Sequence, residues 1–215
     1  MLALRRWRAQ FETHIAFDVE ISGKDKEIPA EDYLLPLGIR VSARTPAQSR
    51  IVIIRSLDFY GGRAASGVAG QHFLTQQVND DTVPNDFTLT FERPPKRIGL
   101  LRAKLWAATG SGVSHPAWRA EALGVDGRQL DAVNEDLLRA IPDPAQAHRL
   151  LLLDRQSRVI GTAGDFVPEQ LFIVRAPAAG QDIPSLRITS DFRLDGVPFA
   201  GSRSVLINEL ILFYT

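Results

Sequence analysis

Residues 14–21, His-Ile-Ala-Phe-Asp-Val-Glu-Ile, carry the pattern that decides the fold. Their large apolar side chains stand at every second position, and small or acidic residues occupy the positions between them. A period of two places alternate side chains on opposite sides of an extended chain. This segment is therefore predicted to be a β-strand with one buried face.

Similar strand signals continue to the C-terminus and are separated by Gly, Pro and Asp-Gly turns. At Asp126-Gly127, the glycine supplies the positive φ that a tight hairpin between two alternating runs requires. About nine or ten such strands, with few long helices, predict an all-β, jelly-roll-like sandwich of two antiparallel sheets. The segments with these signals are residues 34–43, 50–60, 86–109, 118–137, 169–177, 185–192 and 204–214.

The domain organisation is predicted from where the alternating strand pattern begins and where it is interrupted. Residues 1–13 are predicted to be a basic amphipathic arm or helix, and residues 14–215 a single sandwich domain. Residues 135–157 fit the strand pattern least well. We expect them to be a small insertion with short helices at about residues 137–141 and 144–152.

The N-terminal arm has apolar residues at helical spacing with arginines on the opposite side. Such a helix docks onto a partner protein or lies on a membrane surface. The alternative is that it packs onto its own domain. The residues concerned are Leu4, Arg5, Arg6, Trp7, Arg8 and Phe11.

Composition excludes several classes of protein. Lys+Arg and Asp+Glu are both 25, so the formal net charge is zero, which argues against broad nucleic-acid binding. Hydrophobic residues make up 45% of the chain, enough for a substantial core. The absence of cysteine excludes disulfides and thiolate chemistry. No apolar run approaches the roughly 20 residues of a membrane-spanning helix, and no secretory signal is visible at the N-terminus.

The order of short motifs along the chain resembles the galactose-binding-like jelly rolls of bacterial exported proteins. Ile15-Ala16-Phe17-Asp18 corresponds to an early IxFD strand, and Tyr33 leads into a Gly-hydrophobic strand at Gly38-Ile39-Arg40-Val41. Phe91-Glu92-Arg93-Pro94 precedes the apolar strand at Arg97-Ile98-Gly99-Leu100. Ala122 leads to the Asp126-Gly127 hairpin, and residues 207–213 form the closing strand. The similarity covers residues 14–215 except residues 135–157.

This resemblance implies an extracytoplasmic or cell-envelope location, although the sequence itself leaves the compartment undecided. It also implies a structural calcium ion that bridges the first and last strands. Calcium binds several hard oxygen ligands, mainly carboxylates and carbonyls. The matching residues are Asp18, Glu20, Asn208 and Glu209; the alternative is that Asp18 and Glu20 form the solvated face of the first strand.

Aromatic side chains are the candidates for carbohydrate binding, because exposed rings stack on sugars in jelly rolls of this kind. They are Tyr60, Phe73, Trp106 and Trp118. Trp106 and Trp118 lie in alternating apolar runs, which favours core packing. Tyr60, beside Gly61-Gly62 at a strand end, is the better surface candidate.

No catalytic constellation stands out in the sequence. The four histidines are far apart and lack metal-ligand spacing, and no GxSxG motif is present. Asp131, Glu135 and Asp136 lie close together, but a solvated helix start capped by Asn134 explains them as well as paired catalytic carboxylates do.

We therefore expect a non-catalytic interaction or structural subunit without a cofactor other than calcium, docking onto other protein subunits of a larger assembly. The first alternative is a module that binds carbohydrate or another cell-surface ligand. The second is a hydrolase on a sandwich scaffold.

Overall fold

The computed structural model describes ten stretches of the chain, and every strand pair within them is antiparallel. The described residues are 11–18, 27–45, 49–59, 71–78, 83–106, 113–178, 181–191, 193–194, 197–198 and 204–215. The prediction of an all-β, sandwich-like fold is confirmed.

A seven-stranded sheet forms one layer, with the C-terminal strand at its centre. The order is β16-β7-β20-β5-β4-β2, and β1 pairs with β20 beside β5. The first and last strands are thus neighbours. The bounds are β1 Glu12–Ala16, β2 Glu27–Pro29, β4 Ser49–Arg55, β5 His72–Val78, β7 Arg97–Arg102, β16 Gln170–Arg175 and β20 Ile207–Phe213.

A five-stranded sheet forms the second layer, in the order β11-β10-β17-β6-β3. The predicted hairpin joins β10 to β11, and Gly127 has a φ of 75° in its turn. Asp126 stabilises the turn, because its Oδ1 accepts a hydrogen bond from the Arg128 N–H at 3.0 Å. The bounds are β3 Ile39–Ala43, β6 Asp86–Phe91, β10 Ala117–Leu123, β11 Gln129–Glu135 and β17 Ser185–Asp191.

The main core lies between these two sheets. In β6, Phe87, Leu89 and Phe91 are buried while the threonines between them face outwards, as the alternation predicts. Leu210 and Leu212 of β20 meet them from the opposite layer. Since burial of one such side chain stabilises the fold by about 1.5–3 kcal/mol, the alternating apolar sets of the two sheets supply most of the driving force.

The helical insertion predicted at residues 135–157 is wrong, because this region is β-structure. It contributes to a four-stranded sheet in the order β14-β13-β12-β9. Leu138 and Ala140 are buried at alternate positions, and Pro142 and Pro144 oppose a continuous helix. A second core, around Phe73, Leu138 and Leu150, joins this sheet to the main sandwich. The bounds are β9 Val113–His115, β12 Leu138–Pro142, β13 Leu150–Leu153 and β14 Val159–Ala163.

Shorter elements complete the described fold. The predicted strand over residues 34–43 begins only at Ile39, because α1 (Ala30–Leu34) and a 3₁₀ turn (Leu35–Leu37) precede it. Gly38, at φ 75°, ends that turn in the left-handed region that favours glycine. No helix in the described residues is long and apolar enough to cross a membrane. The other elements are α2 Ser56–Phe59 and the strands β8 Leu105–Trp106, β15 Phe166–Val167, β18 Arg193–Leu194 and β19 Val197–Pro198.

Candidate functional site

The outer surface of the seven-stranded sheet carries an unusual set of apolar side chains. Core-facing residues such as Phe172, Leu100 and Leu210 alternate with them along the same strands, so these side chains point away from the core. The outer face of an antiparallel sheet is ordinarily polar. We call this set the apolar face; it consists of Leu101, Leu171, Ile173, Ile211 and Phe213.

Strand register brings the apolar face together at Gly99. This residue of β7 pairs with Ile173 on one side and Ile211 on the other. A Cβ at Gly99 would lie 3.2 Å from Leu171 Cδ1 and 3.3 Å from Ile211 Cβ, so the missing side chain lets these groups close over the strand. Leu171 nevertheless remains 46% exposed, which leaves apolar area in contact with solvent.

Charged groups border the apolar face at two sides. On the β1 side, His14 Nδ1 lies 2.6 Å from Glu209 Oε1, and His14 Nε2 lies 3.6 Å from Glu12 Oε1. At the Arg97 end, the guanidinium stacks on Phe213, with Cζ 4.6 Å from the ring centroid. The face is therefore an apolar centre with a polar rim, the anatomy of a protein–protein interface.

The outer surface of the five-stranded sheet is polar by contrast. Arg187 makes a bidentate pair with Asp86, with nitrogen–oxygen distances of 2.8 and 2.7 Å. Burial would raise the pKa of Asp86, but hydrogen bonds from Arg187 and Arg44 lower it below its usual value. Arg119 continues the row by donating to Glu121 at 2.8 Å. These charges are paired within and across strands, so this surface is well solvated and internally satisfied.

A second candidate site is a buried polar cluster where the two main sheets meet the small sheet. Arg102 of β7 is 2% exposed, and its Nε donates to Oε1 and Oε2 of Glu135 on β11 at 3.1 and 3.2 Å. The Trp118 indole N–H donates to the same carboxylate at 2.5 Å. His115 Nε2 lies 3.6 Å from it and has no hydrogen-bond partner. We call Arg102, His115, Trp118 and Glu135 the buried cluster.

Arg102 also links the cluster to the backbone. Its Nη1 donates to the carbonyl oxygens of Ala103 and Pro168 at 2.8 and 2.9 Å. The side chain thereby connects the seven-stranded sheet, the five-stranded sheet and the segment before β16. A buried arginine that uses its donors in this way is a structural cross-link as well as an ion-pair partner.

Two cavities border Glu135. One, of about 440 Å³, is lined by residues of β10, β11 and β17, including Arg119, Asn134 and Ser190. The other, of about 420 Å³, lies between the small sheet and residues 167–172, and has mostly apolar walls with Glu169 among its lining residues. Glu135 therefore separates two spaces of small-molecule size, although its own side chain is only 9% exposed.

Burial shifts the pKa values of two groups in the buried cluster, Glu135 and His115. Burial raises the pKa of Glu135, an effect that Arg102 and the Trp118 N–H partly oppose. Burial, and to a smaller extent the nearby Arg102 charge, lowers the pKa of His115 to about 3. His115 is thus a neutral imidazole at neutral pH. A perturbed carboxyl beside a cavity marks a functional-site candidate, and a structural ion pair produces the same signature.

The predicted calcium ligands are not gathered into one site in the described residues. Asn208 Nδ2 donates to Glu169 at 3.4 Å, Glu209 is engaged by His14, and the side chain of Asp18 is 78% exposed. Glu20 lies outside the described residues. Within them, no group of three or more His, Asp or Glu side chains is arranged to hold a metal ion, and calcium binding stays a prediction.

The predicted ring-stacking residues are dispersed. Phe73 and Trp118 are buried, at 0% and 2% exposure, so neither offers a ring to a sugar. Ring stacking is therefore wrong for both residues, and the core packing that the sequence favoured for Trp118 is confirmed. Phe73 packs edge-on against Phe59 and Trp118 against Phe172, since both rings lie on core-facing positions. Trp106 is partly exposed on β8, and Tyr60 lies outside the described residues.

The predicted docking arm is mostly outside the described residues, which begin at Phe11. Phe11 is 36% exposed, and its carbonyl accepts a hydrogen bond from the Tyr214 N–H at 2.8 Å. The arm thus enters the fold at the Phe213 end of the apolar face. Of the acidic group noted in the sequence, Asp131 accepts a bond from the Arg175 N–H, and Glu135 belongs to the buried cluster, in a strand and not at a helix start.

Sequence reasoning missed both the apolar face and the buried cluster. The double-sided apolar pattern of residues 207–213 signals the first, but it equally fits a strand covered on both sides. Arg102 ends an apolar run as an ordinary surface arginine would, so its burial has no local signal.

Comparisons with known proteins identify no family. No family model matches the chain, and no curated protein matches it. Among solved structures, the arabinose-bound MgGH51 α-L-arabinofuranosidase is similar to it, with a TM-score of 0.46 and 12% sequence identity. The match covers 94% of this chain and 26% of that one, so the chain spans about a quarter of the neighbour's length.

Proposed function

We propose that this protein is a non-catalytic interaction module that docks onto a partner protein through its apolar face. The observation that carries the proposal is the exposed apolar centre on the outer side of the seven-stranded sheet, with Leu171 at 46% exposure beside Ile211 and Gly99. Contiguous exposed apolar surface with a polar rim is characteristic of protein interfaces.

The contrast between the two outer surfaces supports this assignment. The five-stranded sheet turns paired charges such as Arg187 and Asp86 to solvent, whereas strands β16, β7 and β20 of the other sheet turn leucine, isoleucine and phenylalanine outwards. Solvation alone would favour polar residues on both surfaces. Phe11, the predicted docking residue that lies within the described part of the chain, is hydrogen-bonded to Tyr214 next to the Phe213 end of this face.

The test compares two variants that introduce the same charged residue at two different surface positions. Leu171→Asp puts a charge into the apolar face, and Val125→Asp puts the same charge into a hairpin turn where the side chain is 97% exposed. Each tagged protein is isolated from its source cells under native conditions. Native mass spectrometry identifies what stays bound, and hydrogen exchange maps the protected backbone.

We expect a stoichiometric partner on the wild type and on Val125→Asp, protection of residues 171–173 and 209–213, and loss of the partner in Leu171→Asp. A wild-type chain that is recovered only by itself would contradict the proposal. So would a Leu171→Asp variant that keeps every partner of the wild type.

A carbohydrate-binding module is less well supported by the described surfaces. In the five-stranded sheet, the outward positions of the described strands hold charged, amide, hydroxyl and aliphatic side chains, and none of those positions is aromatic. Stacking on a sugar face needs exposed rings. A glycan-array screen of the whole chain tests this alternative directly.

A hydrolase is the second candidate, because a buried carboxyl with a raised pKa beside two cavities fits a general acid. Against it, both oxygens of Glu135 are engaged by Arg102 and Trp118 within the protein. Turnover of aryl glycosides or esters that disappears in Glu135→Gln, with the fold retained, would favour this candidate over the interaction module.

A further inference from the structure

Strand β14 is an edge strand of the small four-stranded sheet, and within the described residues it pairs with β13 alone. Gly161 lies opposite Leu152 and Val159 opposite Leu153, with one extra residue, Ile160, in a β-bulge between them. Within the described residues, no strand pairs with the other edge of β14. An unpaired edge presents backbone N–H and C=O groups to any strand of suitable sequence.

The sequence of β14 lacks the features that usually protect an edge. Val159-Ile160-Gly161-Thr162-Ala163 contains no charged residue and no proline, and Val159 and Ile160 are 57% and 60% exposed. Natural edge strands carry lysine, proline or inward charges that prevent pairing with other chains. The bulge at Ile160 is the one protective device here, and it leaves both apolar side chains in solvent.

The charges that flank β14 are arranged for self-pairing. Arg158 precedes the strand and Asp165 follows it after one glycine, and both residues are exposed. If two copies pair antiparallel about a two-fold axis at Gly161, Val159 lies opposite Ala163 and Ile160 opposite Thr162. Arg158 of each copy then lies opposite Gly164 of the other, and Asp165 is the next residue along. Opposite charges are therefore diagonal neighbours at both ends, which favours a self-complementary interface.

We propose that β14 pairs antiparallel with β14 of a second copy of this chain, which joins two four-stranded sheets into a continuous eight-stranded one. The glycine at the axis removes a side chain from the closest approach of the two strands. A five-residue edge buries little area, so the dimer is reversible and depends on concentration. This interface is separate from the apolar face and stands whether or not that face binds a partner.

Sedimentation equilibrium over a concentration series tests the pairing. We expect a monomer–dimer equilibrium for the wild type and for Val125→Lys, which adds the same charge in a distant turn. Val159→Lys places a lysine on the edge and should weaken association by at least about tenfold, or roughly 1.4 kcal/mol. Thermal unfolding of each variant verifies that it remains folded; Val159 is more than half exposed, so its replacement leaves the core intact.

A charge exchange tests the antiparallel arrangement. Arg158→Glu and Asp165→Arg should each weaken the dimer, and the double variant should associate more tightly than either single variant. Because Arg158 also pairs with Asp154 of its own hairpin at 2.7 Å, the double variant is compared with Arg158→Glu, which lacks that pair too.

Three results would overturn the proposal. They are a wild-type chain that stays monomeric at its highest soluble concentration, equal dimerisation of wild type and Val159→Lys, and no recovery in the double variant. A monomer whose residues 159–163 become protected only on a different protein would assign the edge to that protein instead. Leu171→Asp should leave the dimer unchanged, which separates this test from that of the apolar face.

Discussion

His115 makes the stability of this protein sensitive to mild acid in a way that can be calculated. Its side chain is 1% exposed, and its pKa falls to about 3 from the ordinary 6.5, which it regains in the unfolded chain. The unfolded state therefore binds a proton between pH 6.5 and pH 3 that the folded state excludes. Stability from this residue is complete above pH 6.5 and is lost as the pH falls towards 3.

The magnitude follows from the difference in pKa. At pH 5, which is 1.5 units below the pKa of 6.5 in the unfolded chain, the unfolded imidazole is protonated. The folded imidazole is still neutral at this pH, because its pKa is about 3. At 1.36 kcal/mol per unit, His115 alone removes about 2 kcal/mol of folding free energy between pH 7.5 and pH 5. Glu135 acts in the opposite sense, because its raised pKa makes the folded state the better proton acceptor as pH falls.

Comparison of the wild type with His115→Leu isolates the histidine, since Glu135 titrates in both proteins. Urea unfolding at pH 7.5 and pH 5 should show that the variant loses about 2 kcal/mol less than the wild type on acidification. His148→Asn is the matched control; His148 is exposed and has a φ of 63°, which asparagine tolerates. This control retains His115, so it should keep the loss of about 2 kcal/mol attributed to that residue. Equal losses in the wild type and His115→Leu would refute the reasoning.

Three further predictions concern stability, each measured by urea unfolding at pH 7.5. Arg102→Met leaves Glu135 buried without its cation and should cost about 3–5 kcal/mol, and adding Glu135→Met should recover part of the loss. Asn85→Ala should cost about 2–4 kcal/mol, because the buried Asn85 amide donates to the Gln76 carbonyl and accepts from the Val205 N–H. As a control, Asn134→Ala removes an exposed amide and should change stability by less than about 0.5 kcal/mol. Gly38→Ala should cost about 1 kcal/mol, since its φ of 75° strains any side chain; no change would mean that the turn has rearranged.

Local patterns predicted much of the sandwich because they act over a few residues. The alternation of residues 87–91 was sufficient to place a strand, and the Asp126-Gly127 turn was sufficient to place a hairpin. Side-chain period and positive φ are both local properties of the chain. The same reasoning failed at residues 135–157. Leu150–Leu153 is a continuous apolar run, which fits a buried helix segment and a strand equally well until its partners are known.

The candidate sites were less predictable because they depend on which strands become neighbours. In the sequence, Gly99 indicates only a residue that weakens a strand. In the structure, Leu171 and Ile211 pack over it, although they are 72 and 112 positions further along the chain. Glu135 lay in an acidic group that suggested a helix cap. Its pairing with Arg102 follows from the way the two sheets are stacked, and no spacing along the chain encodes it.

The sequence by itself determined the fold class and the hairpin at Gly127, because backbone geometry and apolar period are local properties of the residues. Only the tertiary structure decided which apolar residues stay in solvent, which charges become buried and which strand edge is left open. The exposure or burial of a residue and the edge position of a strand depend on which other strands lie beside it. Those neighbouring strands are distant in the chain.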